Sequence, residues 1–257
     1  MDTMYLVAIA EIQGEEGATL GPLAAELGTT AYELRLVLNA GVPAVVLATV
    51  DAAQARAAEA AIARHGHSPI LCDRGEVVSS GRMTLLRDFA FRSDGLLAQQ
   101  TADSRLVYDD VAALLRATHR TTSETTEQVK ERAFRPGMAI MTGGLVMSKT
   151  TKKTVTTTTA HNEQVLYIFH RGFGPPWLLK ERTAQYGGLG VRLGATSFEN
   201  FGTTLRWLRE RCPRAAYDER LKTSRPLRGV ADGVEATDIY AHLLASWMMS
   251  GSLSVRS

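Results

Sequence analysis

The chain changes texture at Val78–Arg82 (VSSGR), and this break limits what it can fold into. Upstream, apolar runs of strand length alternate with alanine- and leucine-rich helical stretches. Downstream, short alternating segments and threonine-rich stretches dominate, and clear helical periodicity returns only near the end. Charge changes at the same place. Residues 1–78 carry 4 basic and 10 acidic side chains, and residues 79–257 carry 25 and 17, balances of −6 and +8. A chain of 257 residues has room for two cores. The expected organisation is therefore a small α/β module over 1–78 that folds alone, then a β-rich domain over 83–257.

The upstream order reads β-α-α-β-α-β. Tyr5–Ile12 is a short strand with β-branched residues. Gly21–Leu27 and Ala31–Leu38 are helices. Thr30 with Glu33 three residues on matches a capping box, and Gly41 stands at a natural C-cap. Val42–Val50 is a strong strand, Asp51 caps the helix Ala52–His65, and His67–Cys72 returns as a strand. Strands alternating with helices predict helices packed on a sheet.

Downstream, Leu85, Arg87, Phe89 and Phe91 share one parity in an alternating segment, and Ser93-Asp94-Gly95 is a hairpin-type turn signal. Arg105–Leu115 is strand-like but interrupted at Asp109-Asp110. Thr126–Phe134, Thr150–Thr159, Gln164–His170 and Trp177–Lys180 read as strands. Phe198–Arg211 is a helix with Phe198, Phe201, Leu205 and Leu208 on one face, and Thr196 or Ser197 as its cap. Glu235–Met249 is a second helix with Tyr240, Leu243, Leu244, Trp247 and Met248 on one side. The fold class is α+β: the α/β module, then an antiparallel barrel-like domain with C-terminal helices.

No catalytic signature stands out. Gly143–Thr150 (GGLVMSKT) lacks the second glycine of a phosphate-binding loop and leads into a strand-forming run rather than a helix. His65, His67 and Cys72 lie close together but do not make a metal-ligand spacing. His161 and His170 have no nucleophile elbow beside them. Asp109 and Asp110 face opposite ways in a strand. The sequence therefore implies no cofactor and no metal. An enzyme would need an active site dispersed along the chain.

The basic residues point elsewhere. Lys149, Lys152 and Lys153 line a strand edge, a pattern that blocks edge aggregation and can also meet phosphate. Arg206, Arg209, Arg211 and Arg214 give the penultimate helix a basic end. Arginine outnumbers lysine 23 to 6, and its planar fork suits bidentate contacts to carboxylate or phosphate. Tyr240, Leu244, Trp247 and Met248 form an apolar stripe that either docks in the core or receives a partner. Two distant cysteines predict free thiols and a reducing cytoplasmic setting. The N-terminus lacks a basic segment and a long apolar run, so no signal peptide is expected. No run of about 18 apolar residues predicts a membrane span.

The order of the first 78 residues resembles the ClpS adaptor fold, which the C-terminal domain of the ribosomal stalk protein also approximates. The likeness rests on the first strand, the helix pair ending at Asn39-Ala40-Gly41, the strand Ala44-Val45-Val46-Leu47, the alanine-rich helix, then Gly66-His67 and Cys72. ClpS adaptors hold a degron amino terminus with an Asn-Asp pair and a His. Here Glu11-Ile12-Gln13-Gly14 and Leu38-Asn39 stand in those regions, so the resemblance implies a docking role without that chemistry. The downstream half looks like a pleckstrin-homology-type barrel, strands followed by the capping helix Phe198–Arg211. Such barrels bind peptides, proteins or anionic lipid heads. The expected function is a noncatalytic interaction or adaptor protein that binds a protein partner or an anionic surface, with a possible homo-oligomer. The alternatives are an enzyme with a dispersed site and a nucleic-acid binder using the Arg206–Arg228 segment.

Overall fold

The computed structural model describes residues 3–13, 16–98, 104–134, 148–172, 174–223, 225–227 and 229–254; for 16–19, 123–134, 148–158 and 251–254 it describes the backbone alone. The chain divides into two compact units, residues 1–119 with 163–257, and residues 120–162.

In the first unit, β1 (Tyr5–Glu11) lies between β2 (Ala44–Thr49) and β3 (Ser68–Asp73), antiparallel to both. Both faces of β1 are buried. Val7 and Ile9 point to α1 (Glu16–Glu26), α2 (Ala31–Asn39) and α3 (Ala52–Arg64), where they meet Leu20, Leu23, Leu34 and Ile62. The other face presents Leu6, Ala8, Ala10 and Ile70. The expected caps are in place. Thr30 and Glu33 form a reciprocal capping box, and the Asp51 side chain accepts from the amides of Ala53 and Gln54.

The β-rich part is built as open sheets. Beyond β3 come β4 (Thr84–Leu86), β5 (Phe89–Phe91), β6 (Gly95–Ala98), β7 (Arg105–Val107), β8 (Val111–Phe134), β9 (Ser148–His170), β10 (Trp177–Lys180) and β11 (Ala216–Leu221). One sheet has the order β11-β8-β9-β10-β4 and a smaller one β5-β6-β7. The expected antiparallel barrel is corrected on two counts. β11 runs parallel to β8 and β10 parallel to β4, and the strands do not close into a barrel among the described residues. The reason is chain order: the outer partners of β8 and β10, which are β11 and β4, come from distant segments and not from hairpins. The Asp109-Asp110 interruption is a 3-10 turn separating β7 from β8.

Two helices complete this unit. α4 (Ser197–Arg211) is capped by Thr196, whose hydroxyl accepts from the Glu199 amide. It lays Phe201, Thr204, Leu205 and Leu208 against the face of the large sheet made by Leu114, Leu166 and Ile168. Phe198, expected on that face, is 60% exposed. Asn200 is buried in that turn instead and binds both the N–H and the carbonyl of Gly194.

α5 (Gly233–Ser254) behaves differently. From Ala236 to Ala245, every side chain except the half-buried His242 is buried. The helix shares one core with Leu6, Ala8 and Ile70 of the small module and with Ala113, Leu115, Val165, Tyr167 and Leu178 of the large sheet. It therefore packs on both, which explains why apolar residues extend around most of its circumference. The alanines at 8, 10, 236 and 241 permit close approach. Tyr240 and Leu244, expected on a partner-binding stripe, are spent on the chain's own core, and Trp247 and Met248 are half-buried against it. The 1–78 module and the β-rich segment are thus joined by a common core.

The second unit comprises the adjoining parts of β8 and β9, which are neighbours in their sheet. No helix among the described residues is long and apolar enough to cross a membrane.

Candidate functional site

Of the predicted basic residues, Arg206 and Arg209 come together on the outer face of α4. Across from them, β8 supplies Arg116 and β11 supplies Tyr217 and Glu219. These side chains, with Leu205, Gly202 and Glu210, line an open cleft of about 580 Å³. The strand order makes it, because β11 enters parallel to β8 at the sheet edge beside α4.

The three guanidiniums are held differently. Arg116 donates from Nε to Gln164 Oε1 at 3.0 Å and lies 3.7 Å from a Glu219 oxygen. Arg209 stacks on the Tyr217 ring, its Cζ 4.1 Å from the centroid. Arg206 is exposed and has no hydrogen bond or ion pair among the described residues. Glu219 is committed: it accepts from Tyr217 Oη at 2.9 Å and pairs with Lys222 at 3.2 Å. Those contacts hold its carboxyl below the ordinary range, Tyr217 contributing most and Lys222 next. Burial and Glu219 together push the Tyr217 phenol up. The cleft thus carries a cationic surplus with one guanidinium ready to receive an acceptor.

The remaining predicted cations are not in this cleft. Arg211 stands over the rings of Trp207 (5.2 Å) and Tyr108 (5.5 Å). Arg214 is exposed beyond the end of α4. Lys149, Lys152 and Lys153 lie on β9 in the second unit, and their side chains are outside the described residues. The phosphate-loop-like segment lies outside them too, apart from the backbone of Ser148–Thr150. Arg116 escaped the sequence reading, although a lone arginine in the apolar run Val111–Ala117 was a usable signal.

A second polar cluster is buried between α5 and the large sheet. The Tyr167 hydroxyl donates to Asp238 Oδ1 at 2.6 Å, and His119 Nε2 lies 2.6 Å from the same hydroxyl. Since Tyr167 spends its proton on Asp238, His119 donates from Nε2. Ser80 adds its backbone N–H at 2.7 Å and its hydroxyl at 2.5 Å to the two carboxylate oxygens. His119, Tyr167 and Asp238 are all under 3% exposed. Burial drives the His119 pKa down to about 4, against the opposing pull of Asp238, so the ring is neutral near pH 7. The 3.8 Å approach of His119 to Asp238 is therefore not an ion pair. The Tyr167 phenol is held protonated by burial and by Asp238. A cavity of about 310 Å³ reaches Asp238 and Ser80, with Arg74 and Glu235 paired among its lining residues. Here Ser80 donates to a carboxylate rather than to an imidazole base, and the arrangement satisfies the buried carboxylate rather than activating the serine.

The other titratable candidates are engaged locally. His65 binds Glu26 at 2.9 Å, His67 Nδ1 accepts from the Gln13 amide at 3.2 Å, and His170 Nε2 donates to the Pro175 carbonyl. Cys72 and Cys212 are free, and burial raises both thiols to about 11. Among the described residues no group of three or more His, Cys, Asp or Glu is placed to hold a metal.

No family model, no curated protein and no solved structure matches this chain.

Proposed function

We propose that this protein is a noncatalytic binding protein whose α4 cleft receives an acidic segment of a partner protein. One observation carries the reading: Arg206 stands unpaired at a concave site that Arg116 and the stacked Arg209 also line. Planar guanidiniums fit carboxylates as bidentate pairs, and here Arg116 and Arg209 are held in place beside the unpaired Arg206. The cleft is lined by residues from three different elements, so its geometry is set by the sheet and not by one flexible loop. The docking role implied by the ClpS-like order of the first 78 residues is part of the same proposal.

A specific observation sets the nucleic-acid reading behind this one. Trp207 is flanked by Arg192 at 4.5 Å, Arg211 at 5.2 Å and Phe91 at 4.5 Å, and Tyr217 is covered by Arg209. These rings have their faces occupied, whereas a single-strand binder offers them to bases.

Fluorescence anisotropy with a labelled hexaglutamate peptide and a labelled oligothymidylate tests the proposal. The peptide is expected to bind, and R206A/R209A to weaken it at least tenfold without lowering the melting temperature. Binding of the peptide that ignores both substitutions, or a preference for the oligonucleotide, overturns it.

A further inference from the structure

A second surface lies on other elements. β2 is the outer strand of its sheet, and its free edge has no backbone partner among the described residues. Along it runs a groove of about 240 Å³, lined by Ala44–Ala48 of β2, by Leu36 and Val37 of α2, and by Leu227 and Val230. Leu36 is 44% exposed there, although it is aliphatic. The apolar lining suits aliphatic side chains.

Only two ionisable side chains among the described residues line this groove, Arg225 and Tyr240. Arg225 donates to the carbonyls of Ala40 (2.9 Å) and Pro43 (3.3 Å), and its Cζ lies 4.7 Å from the centroid of the Tyr240 ring. No carboxylate pairs with it among the described residues. Two carbonyls and the Tyr240 ring hold the guanidinium in place, and its charge has no counter-ion among the described residues, so a carboxylate arriving in the groove meets a positioned cation. Gly41 has φ +104°, and a Cβ there would meet Arg225 Nη1 at 2.8 Å. Glycine is favoured here by its positive φ, and the guanidinium lies close against it.

The position of Arg225 sets a direction. It lies at the N-terminal end of β2, beside Ala40 and Pro43. A strand added antiparallel to β2 ends at this point, so its terminal carboxylate reaches Arg225 while alternate side chains enter the groove. We infer that the β2 groove binds the C-terminal end of a partner polypeptide as an added antiparallel strand, apolar in sequence, with its free α-carboxylate on Arg225. The occupant is a peptide end, because the one cation of the groove stands where an added antiparallel strand terminates.

Panning the full chain against a display library of random heptapeptides with free C-termini, with R225Q as the counter-selection target, tests this. The best enriched peptide is then synthesised as acid and as amide. The acid is expected to bind at least tenfold more tightly than the amide, and to slow amide hydrogen exchange in Ala44–Thr49. Leu36→Glu places a like charge beside the carboxylate at an exposed position. It is expected to weaken binding at least tenfold with an unchanged melting temperature, which separates loss of the site from loss of fold. R206A/R209A is expected to bind the peptide normally, which keeps this groove distinct from the α4 cleft. The inference is overturned if no peptide is enriched over R225Q, if acid and amide bind equally, if exchange slows elsewhere, or if ultracentrifugation shows a dimer that covers β2.

Discussion

α4 and α5 are both C-terminal helices with aromatic and aliphatic residues at helical spacing, yet they do opposite things. α4 buries one stripe and turns Arg206, Arg209 and Glu210 outward, so its far side is available for binding. α5 is buried around most of its circumference and carries inside it the carboxylate of Asp238. The difference shows how to separate function from architecture in this molecule. Charge on α4 faces water and does not pay for folding, whereas charge on α5 is matched donor for donor and helps fix the helix between two sheets.

The largest expected effect is therefore on α5. Asp238→Ala removes the acceptor of the buried Tyr167 hydroxyl and of the part-buried Ser80 amide and hydroxyl. Leaving a buried hydrogen-bonding group without its partner costs roughly 1–3 kcal/mol, and urea unfolding should show a loss of stability of that order, the largest in this set. A midpoint close to the wild type would mean that the network is not a structural element.

Next comes the effect of pH. His119 titrates at about 4 in the fold and near 6.5 when unfolded, because burial disfavours its cation. His242 is shifted down for the same reason. Between those values the unfolded chain holds more protons, so the contribution is complete above about pH 6.5 and is lost as pH falls toward 4. His119→Gln should flatten the stability profile in that window while leaving it sloped by His242 and His67, which burial also shifts down. An unaltered slope would show that the imidazole is not neutral in the fold.

A smaller effect is expected at the start of α4. Thr196→Ala removes the side-chain acceptor of the Glu199 amide and should cost about 1 kcal/mol. The smallest is on its outer face, where Arg206→Ala should change stability by less than about 0.5 kcal/mol. If that substitution destabilised the protein as much as Asp238→Ala, the contrast between the two helices would collapse.

Local features of this fold could be read from sequence because they depend on neighbours along the chain. The capping box at Thr30 and Glu33, the Asp51 and Thr196 caps, and Gly41 with its positive φ all follow from adjacent residues. The strands on either side of Asp109-Asp110 were equally visible. Long-range pairing was not. The parallel partnerships of β11 with β8 and β10 with β4 join segments whose sequences carry no register signal. The apolar stripe of α5 looks the same whether a partner or a sheet covers it, and only the apolar residues on its remaining sides hint at burial from both directions. His119, Tyr167 and Asp238 are separated by 48 and 71 residues, so no spacing links them. The cleft was half visible: Arg206 and Arg209 belong to a basic helix end, whereas Arg116 reaches them only because β8 lies beneath α4.

The most direct test of the binding assignment is charge reversal at the cleft. R206E/R209E should abolish binding of labelled hexaglutamate and create binding of labelled hexalysine, with the sign of the preference exchanged and the melting temperature within a degree or two of wild type. If the reversed protein keeps its preference for hexaglutamate, the anionic partner binds elsewhere and the α4 cleft is ordinary solvated surface.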